Sequence, residues 1–145
     1  VTFDCIADGI HLDPFMLRLL LKMKGSDGIS LISDAIAAAG KGDGDYQIWG
    51  ETISVKNGRT ANAAGNIAGS VISMLDAVRL VYSLEVSYVD LARMASLNPA
   101  RLLGVDHECG SIELDKRADL VALDNDHNPI VTLVEGKAVS HKGTK

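Results

Sequence analysis

A short apolar run that ends in a carboxylate constrains the fold of this chain more than any other stretch. Ile29 to Ile32 is apolar apart from one serine, and Asp34 follows it, before the small residues of 35–40. A run without polar alternation is typical of a parallel strand buried on both faces. Asp34 would then lie at the carboxyl end of the strand, where α/β proteins gather their functional loops. The stretch favours an α/β fold with Asp34 as a candidate catalytic residue, but an Asx turn or helix cap explains the aspartate equally well.

The residues before this run complete a parallel crossover unit. Residues 1–7 predict a strand, and Asp13-Pro14 predicts the start of a helix that continues to Lys24. Aspartate caps helices and proline fits their first turn. A strand, a helix and a second strand in this order are typical of parallel β–α–β connections.

The loop after the first strand supplies a second candidate residue. Asp8-Gly9-Ile10-His11 follows the strand, and parallel pairing would bring His11 to the same sheet edge as Asp34. A histidine and an aspartate at neighbouring strand ends can divide acid–base work and substrate orientation. A lone histidine also caps helices or hydrogen-bonds the backbone, so both interpretations stay open.

The rest of the chain predicts a hairpin, two helices and a small β lobe. Residues 46–49, 52–56 and 59–61 predict strands, with Asn57-Gly58 as a hairpin turn. A helix is expected over 71–82 with Ser70 as its cap, and another begins at Ser87 and ends at Asn98-Pro99. Further strands are expected at 110–114, 118–123, 130–134 and 137–140. The predicted division is 1–104 and 105–145.

Composition excludes several classes of function. The net charge of −5 argues against nucleic acid or an anionic membrane as a partner, since both attract a basic face. No apolar run approaches the roughly 20 residues of a membrane span. Cys5 and Cys109 form no disulfide pattern, which favours a reducing compartment, and the cytoplasm is expected. No histidine or cysteine spacing in the chain matches a self-sufficient zinc site.

Five segments, in chain order, carry a family resemblance: residues 6–11, 31–35, 65–70, 94–104 and 110–123. Together they resemble the C-terminal part of the N-acetylglucosamine-6-phosphate deacetylases, a family of the amidohydrolase superfamily. The first three segments are the most specific to it. The resemblance implies the last two strands of a (β/α)8 barrel with their helices and a β-hairpin insertion over 1–104. It also implies part of a small β-sandwich over 105–145.

The resemblance also implies an activity and a site. The family uses a divalent metal to polarise the acetamide of N-acetylglucosamine 6-phosphate, releasing acetate and glucosamine 6-phosphate. Asp34 matches the catalytic aspartate, which takes a proton from the attacking water and delivers it to the leaving amine. His11 matches a substrate-binding histidine. Ile67, Ala68 and Gly69 match a loop that contacts the sugar.

The family's metal ligands, a glutamate and two histidines for zinc or iron, belong to upstream strands that this sequence does not contain. Most of its phosphate-binding groups are also upstream. The chain therefore resembles a fragment, inactive by itself, of a cytoplasmic homodimeric enzyme of amino-sugar catabolism. Two alternatives stay open. One is another amidohydrolase, dihydroorotase-like or deaminase-like, and the other is a non-catalytic binding or assembly module.

Overall fold

The computed structural model describes residues 1–141 and shows an α/β protein with three small sheets. The elements are β1 (Phe3–Ile6), α1 (Pro14–Lys24), β2 (Ile29–Ile32), β3 (Gly44–Ile48), β4 (Glu51–Lys56), β5 (Arg59–Ala61), α2 (Met74–Tyr82), α3 (Tyr88–Ala92), a π-helical turn (Arg93–Leu97), α4 (Asn98–Leu103), β6 (Leu120–Leu123), β7 (Pro129–Val134) and β8 (Lys137–His141). Within this part of the chain, no helix has the length and apolar content needed to cross a bilayer.

The first sheet confirms the predicted crossover unit. β1 and β2 pair in parallel, with Cys5 opposite Leu31. The helix between them starts where expected, because the Asp13 side chain accepts a hydrogen bond from the N–H of Phe15 at 2.8 Å. Leu17 of α1 is completely buried in the core that covers this sheet. The apolar spacing of the helix therefore fixes which face meets β1 and β2.

The second sheet is an antiparallel meander in the order β3-β4-β5. Asn57 and Gly58 both have positive φ, as a type I′ hairpin turn requires, which confirms the predicted turn. The meander forms a second core with the residues that follow Asp34. The buried members of this core are Ile36, Ala38, Ile48, Ile53 and Val55.

The predicted cap of the next helix was wrong. α2 begins at Met74, and its N-cap is Ser73 rather than Ser70. The Ser73 hydroxyl accepts from the N–H of Asp76, whose carboxylate accepts from the N–H of Ser73 at 2.9 Å. This reciprocal capping box outcompetes a cap three residues earlier. Ser87 does cap α3, as predicted, by accepting from the N–H of Asp90.

The predicted helix end at Asn98-Pro99 was also wrong. A π-helical turn leads from α3 directly into α4, and Pro99 lies in the first turn of α4. The buried Asn98 amide donates to the carbonyls of Ser26 at 2.7 Å and Ile29 at 2.6 Å. Asn98 therefore ties this helix to the start of β2. Gly104, at φ +72, ends α4.

The third sheet is antiparallel in the order β6-β7-β8. The strand predicted over 110–114 is absent. Instead Ser111 donates to Glu113, and Lys116 donates to both, which favours compact local turns over an extended strand. Between residues 101 and 140, no residue is buried.

Candidate active site

The strands β1 and β2 bring two loops to one edge of their sheet. Ile6 and Ile32 are the last paired residues of strands that run parallel, so the carboxyl ends of both strands lie together. The loop with His11 follows Ile6, and Asp34 follows Ile32 closely. Both candidate residues therefore leave the sheet at the edge where α/β enzymes place their active sites.

A buried carboxylate anchors the first of these loops. The Asp8 side chain is 2% exposed, and its Oδ2 lies 2.7 Å from Nδ1 of His11, whose side chain is 21% exposed. The other oxygen, Oδ1, accepts hydrogen bonds from the backbone N–H groups of Ile10 at 2.9 Å and His11 at 2.8 Å. His11 is therefore fixed at both its backbone and its ring by Asp8.

Burial and hydrogen bonding act in opposite directions on the pKa of Asp8. Burial raises the pKa of this carboxyl, but the N–H and the ring of His11, with the N–H of Ile10, lower it more. The pKa lies below its ordinary value of 3.8, so Asp8 is a carboxylate at neutral pH. Sequence reasoning gave Asp8 no role, although an aspartate two and three residues before backbone donors is the signal of an Asx turn.

The backbone around Asp34 is held by a residue far along the chain. The carbonyl of Asp34 accepts from the N–H of Ser70 at 2.8 Å, and the carbonyl of Ser70 accepts from the N–H of Ile36 at 2.9 Å. Ala35 and Ser70 form an isolated parallel bridge, and the Ser70 hydroxyl donates to the carbonyl of Ser33. Hydrogen bonds with Ser70 therefore fix the backbone on both sides of Asp34.

The side chain of Asp34 is exposed. Its backbone has φ +47, a left-handed conformation that aspartate adopts more readily than most residues. Within residues 1–141, no hydrogen bond or ion pair holds its carboxylate, and no helix starts at this position. The Asx-turn and helix-cap interpretations of Asp34 therefore do not describe this structure, and the carboxylate is open to water and ligands.

Gly69 allows its loop to pack against Asp34. A Cβ added to Gly69 would lie 2.7 Å from Cγ2 of Ile36 and 2.9 Å from the carbonyl oxygen of Asp34. The same Cβ would lie 3.5 Å from Oδ2 of Asp34, so the loop also approaches the carboxylate. Because φ is +69 as well, glycine is the residue that fits this position without strain.

A buried threonine, which sequence reasoning missed, fixes the same loop. Thr60 on β5 is 1% exposed. Its Oγ1 donates to the carbonyl of Gly69 at 2.7 Å and accepts from the N–H of Ala68 at 3.0 Å. No local pattern marks Thr60, because its partners lie eight and nine residues away in an irregular loop.

The structure packs one predicted site loop against Asp34, and it joins His11 to Asp8. Ile67, Ala68 and Gly69 are half-buried, and Gly69 lies against Asp34. His11 leaves the same edge of the sheet, but in the part of the chain that the structure describes no hydrogen bond joins it to Asp34 or to that loop.

Comparison with known proteins places the chain in a family. The profile of the amidohydrolase family matches residues 5–139. The chain belongs to the amidohydrolase family. It is 39% identical over 138 residues to a putative N-acetylgalactosamine-6-phosphate deacetylase of Escherichia coli K12, covering 94% of this chain and 82% of the relative. It is 37% identical over 135 residues to the N-acetylglucosamine-6-phosphate deacetylase of Bacillus subtilis, covering 92% of this chain and 34% of the relative.

Solved structures resemble this amidohydrolase closely. The N-acetylglucosamine-6-phosphate deacetylase of Thermotoga maritima superposes with a TM-score of 0.93 at 36% identity, covering 98% of this chain and 39% of that one. A variant of the Mycobacterium smegmatis N-acetylglucosamine-6-phosphate deacetylase with one aspartate replaced, in complex with N-acetylglucosamine 6-phosphate, gives a TM-score of 0.87 at 35% identity. The match covers 96% of this chain and 38% of that one. The chain thus spans little more than a third of the length of most of the relatives it matches here.

Amidohydrolases generally depend on a metal, and a metal centre in this chain would require donor side chains that converge on one point. Among residues 1–141, no three histidine, cysteine, aspartate or glutamate side chains come together as a metal-binding group. A divalent ion in a protein needs several such donors converging on one point. The described residues of this amidohydrolase therefore do not form a metal centre by themselves.

A cleft of about 510 Å³ lies among residues that do not belong to the sheet edge. Its lining consists of His107, Glu108, Asp115, Lys116 and Arg117. The Lys116 ammonium donates to Ser111 and Glu113, and Arg117 pairs with Asp119 at 2.6 Å. Two of its cations are thus already paired, which disfavours the cleft as an anion site.

Proposed function

We propose that this chain supplies the acid–base carboxylate and part of the substrate-binding surface of a deacetylase. The enzyme would hydrolyse N-acetylglucosamine 6-phosphate to glucosamine 6-phosphate and acetate. The observation that carries the proposal is Asp34. Asp34 follows a buried parallel strand, and its backbone has φ +47. Its carboxylate is exposed and lies close to Gly69.

The proposed architecture follows the family's fold. β1 and β2 would be the last two strands of a (β/α)8 barrel that residues 1–104 help to build, and 105–145 would belong to a β-sandwich. The parallel pairing of β1 with β2 through the crossover helix α1 supports the barrel assignment. The antiparallel order β6-β7-β8 supports the sandwich assignment.

The chemistry proposed for Asp34 is proton transfer. As water adds to the acetyl carbon, a carboxylate can accept one of its protons and then give that proton to the amine nitrogen when the C–N bond breaks. The exposed side chain of Asp34 is open to water, and the acetamide of the substrate would bind beside it. The family implies a divalent metal, zinc or iron, that polarises the amide, and we place its ligands outside the residues described here.

The remaining site residues would bind the sugar phosphate. His11, on the same sheet edge, would contact the substrate through its ring. The loop of Ile67, Ala68 and Gly69 would contact the sugar, because Gly69 places this loop beside Asp34. The full enzyme would be a cytoplasmic homodimer of amino-sugar catabolism, with no nucleic-acid or membrane partner.

A second substrate has specific support. The E. coli relative that this chain matches over 82% of its length carries the name of an N-acetylgalactosamine-6-phosphate deacetylase. The two sugars differ in the orientation of one hydroxyl, so the same acid–base residue would serve both. N-acetylgalactosamine 6-phosphate is therefore the second candidate substrate.

Asp34→Asn in the protein as its gene encodes it tests the proposal. We expect acetate release from one of the two sugar phosphates to fall about 10²–10⁴-fold, the usual contribution of a general acid–base residue. Calorimetry should show that the sugar phosphate still binds. Asp126→Asn removes the same charge from an exposed turn and should keep full activity.

Undiminished turnover in the Asp34→Asn protein would rule out the acid–base role. A wild-type protein that hydrolyses neither sugar phosphate, but opens a cyclic amide or deaminates a base, would point to a different amidohydrolase. A protein inactive on all of these would favour a binding or assembly module.

A further inference from the structure

The pairing of Asp8 with His11 has a consequence for the chemistry of the ring. Asp8 is almost fully buried; its Oδ1 accepts from the backbone N–H groups of Ile10 and His11, and its Oδ2 lies 2.7 Å from Nδ1 of the His11 ring. A buried charge is stable only when it is paired and hydrogen-bonded. The loop is therefore built around a carboxylate, and the His11 ring satisfies one side of it.

A carboxylate accepts hydrogen bonds and has no proton to donate. At 2.7 Å from Oδ2 of Asp8, Nδ1 of His11 must therefore carry the proton in this contact. In the part of the chain that the structure describes, Nε2 of His11 has no hydrogen-bond partner. Nε2 is the ring nitrogen that remains for a ligand.

We propose that Asp8 is a positioning residue that fixes the His11 ring with Nδ1 protonated, so that Nε2 is the atom presented to the sugar phosphate. Asp8 acts through His11 and does not itself touch the substrate. Histidines that bind ligands through one nitrogen commonly have the other held by a carboxylate in this way. The inference rests on the proposed function of His11 as a substrate-binding residue, but the protonation of the ring can be measured independently.

Asp8→Asn is the informative substitution because it separates the two roles of the carboxylate. The amide oxygen of asparagine can still accept from the backbone N–H groups of Ile10 and His11. The amide nitrogen replaces Oδ2 and donates, so it opposes a proton on Nδ1. The loop is preserved while the preferred ring tautomer is reversed.

Nitrogen-15 NMR of the histidine rings in the gene-encoded protein measures the tautomer directly. We expect the neutral His11 ring to be protonated on Nδ1 in the wild type and on Nε2 in Asp8→Asn, with His11→Gln identifying the signal. Asp13→Asn is the matched control, since Asp13 lies close in sequence and caps α1 through the N–H of Phe15. It should leave the His11 tautomer unchanged.

Kinetics with the sugar phosphate supply the second readout. Asp8→Asn should raise KM about tenfold or more, the scale for losing a carboxylate behind a functional histidine, with a smaller change in kcat. Asp8→Asn combined with His11→Gln should be no worse than His11→Gln alone, because residues that act through one another are not additive.

The outcomes separate the inference from the proposed function. A wild-type ring protonated on Nε2, or a tautomer that Asp8→Asn leaves unchanged, overturns the inference whatever the enzyme's substrate. Additive kinetic effects in the double variant overturn it as well. The expected tautomers in a protein without deacetylase activity would support the Asp8–His11 arrangement and contradict only the proposed function.

Discussion

The two loops at the carboxyl ends of β1 and β2 are stabilised in opposite ways. The loop with His11 is closed by Asp8 through contacts two and three residues apart. The loop with Asp34 depends on hydrogen bonds to Ser70, which is thirty-six residues further along the chain, and on contact with the neighbouring Gly69. The first loop carries its own geometry, whereas the second takes its geometry from the rest of the fold.

The β3–β5 meander explains how the second loop is supported. Its buried residues Ile48, Ile53 and Val55 pack with Ile36 and Ala38, which directly follow Asp34. Buried apolar side chains of this size contribute about 1.5–3 kcal/mol each. The meander therefore supports the segment that follows Asp34 through a shared buried core.

Among substitutions that alter the support of the two loops, Gly69→Ala is expected to have the largest effect on stability. The new Cβ would clash with Ile36 and the Asp34 carbonyl at a left-handed φ. Strain and overpacking together should lower the free energy of unfolding by about 2–5 kcal/mol. Because Asp34 must shift to relieve the clash, the proposed deacetylation should fall more than tenfold even at temperatures where the protein remains folded. Chemical denaturation and acetate release measure the two effects.

Gly65→Ala is the matched control for that substitution. Gly65 has φ +82 in the same loop, but a Cβ there would meet nothing within 4 Å. Gly65→Ala should lower the free energy of unfolding only by the strain of a left-handed alanine, about 1–2 kcal/mol, and should leave turnover near the wild-type value. Equal losses of activity in the two variants would show that Asp34 does not depend on close packing by Gly69.

The same contrast explains what the sequence could predict. Asp13 and Ser87 are predictable as caps because their partners lie two and three residues away. The sequence wrongly predicts a cap at Ser70 and a helix end at Asn98, because their partners are Ser33 and Ile29, which local patterns do not reveal. Position at a strand end was enough to single out Asp34, but the contacts that hold it come from tertiary packing.

A smaller effect is expected from Thr60→Val, which keeps the shape of the side chain and removes its hydroxyl. The carbonyl of Gly69 and the N–H of Ala68 would lose their buried partner, at a cost of about 1–3 kcal/mol. Amide hydrogen exchange of Ala68 and Ser70 should accelerate, because the loop is released. Thr52→Val, at an exposed position on β4, is the control and should change neither the stability nor these exchange rates. Exchange rates that stay constant in Thr60→Val would mean that Ser70 alone holds the loop.

The smallest effect concerns the first loop and depends on pH. The folded-state pKa of Asp8 is lowered below 3.8 by its hydrogen bonds with His11 and Ile10 against the opposing effect of burial. A lowered pKa adds stability that is complete above the unfolded-state value and is lost as the pH falls through the folded-state value. The contribution of the Asp8 charge to the free energy of unfolding, measured as the difference between wild type and Asp8→Asn, should therefore be complete near about pH 5 and shrink in more acidic solution, at pH values below about 4. Urea titrations below about pH 5 measure it, and a difference that does not shrink there would mean that the Asp8 charge is not what stabilises this loop.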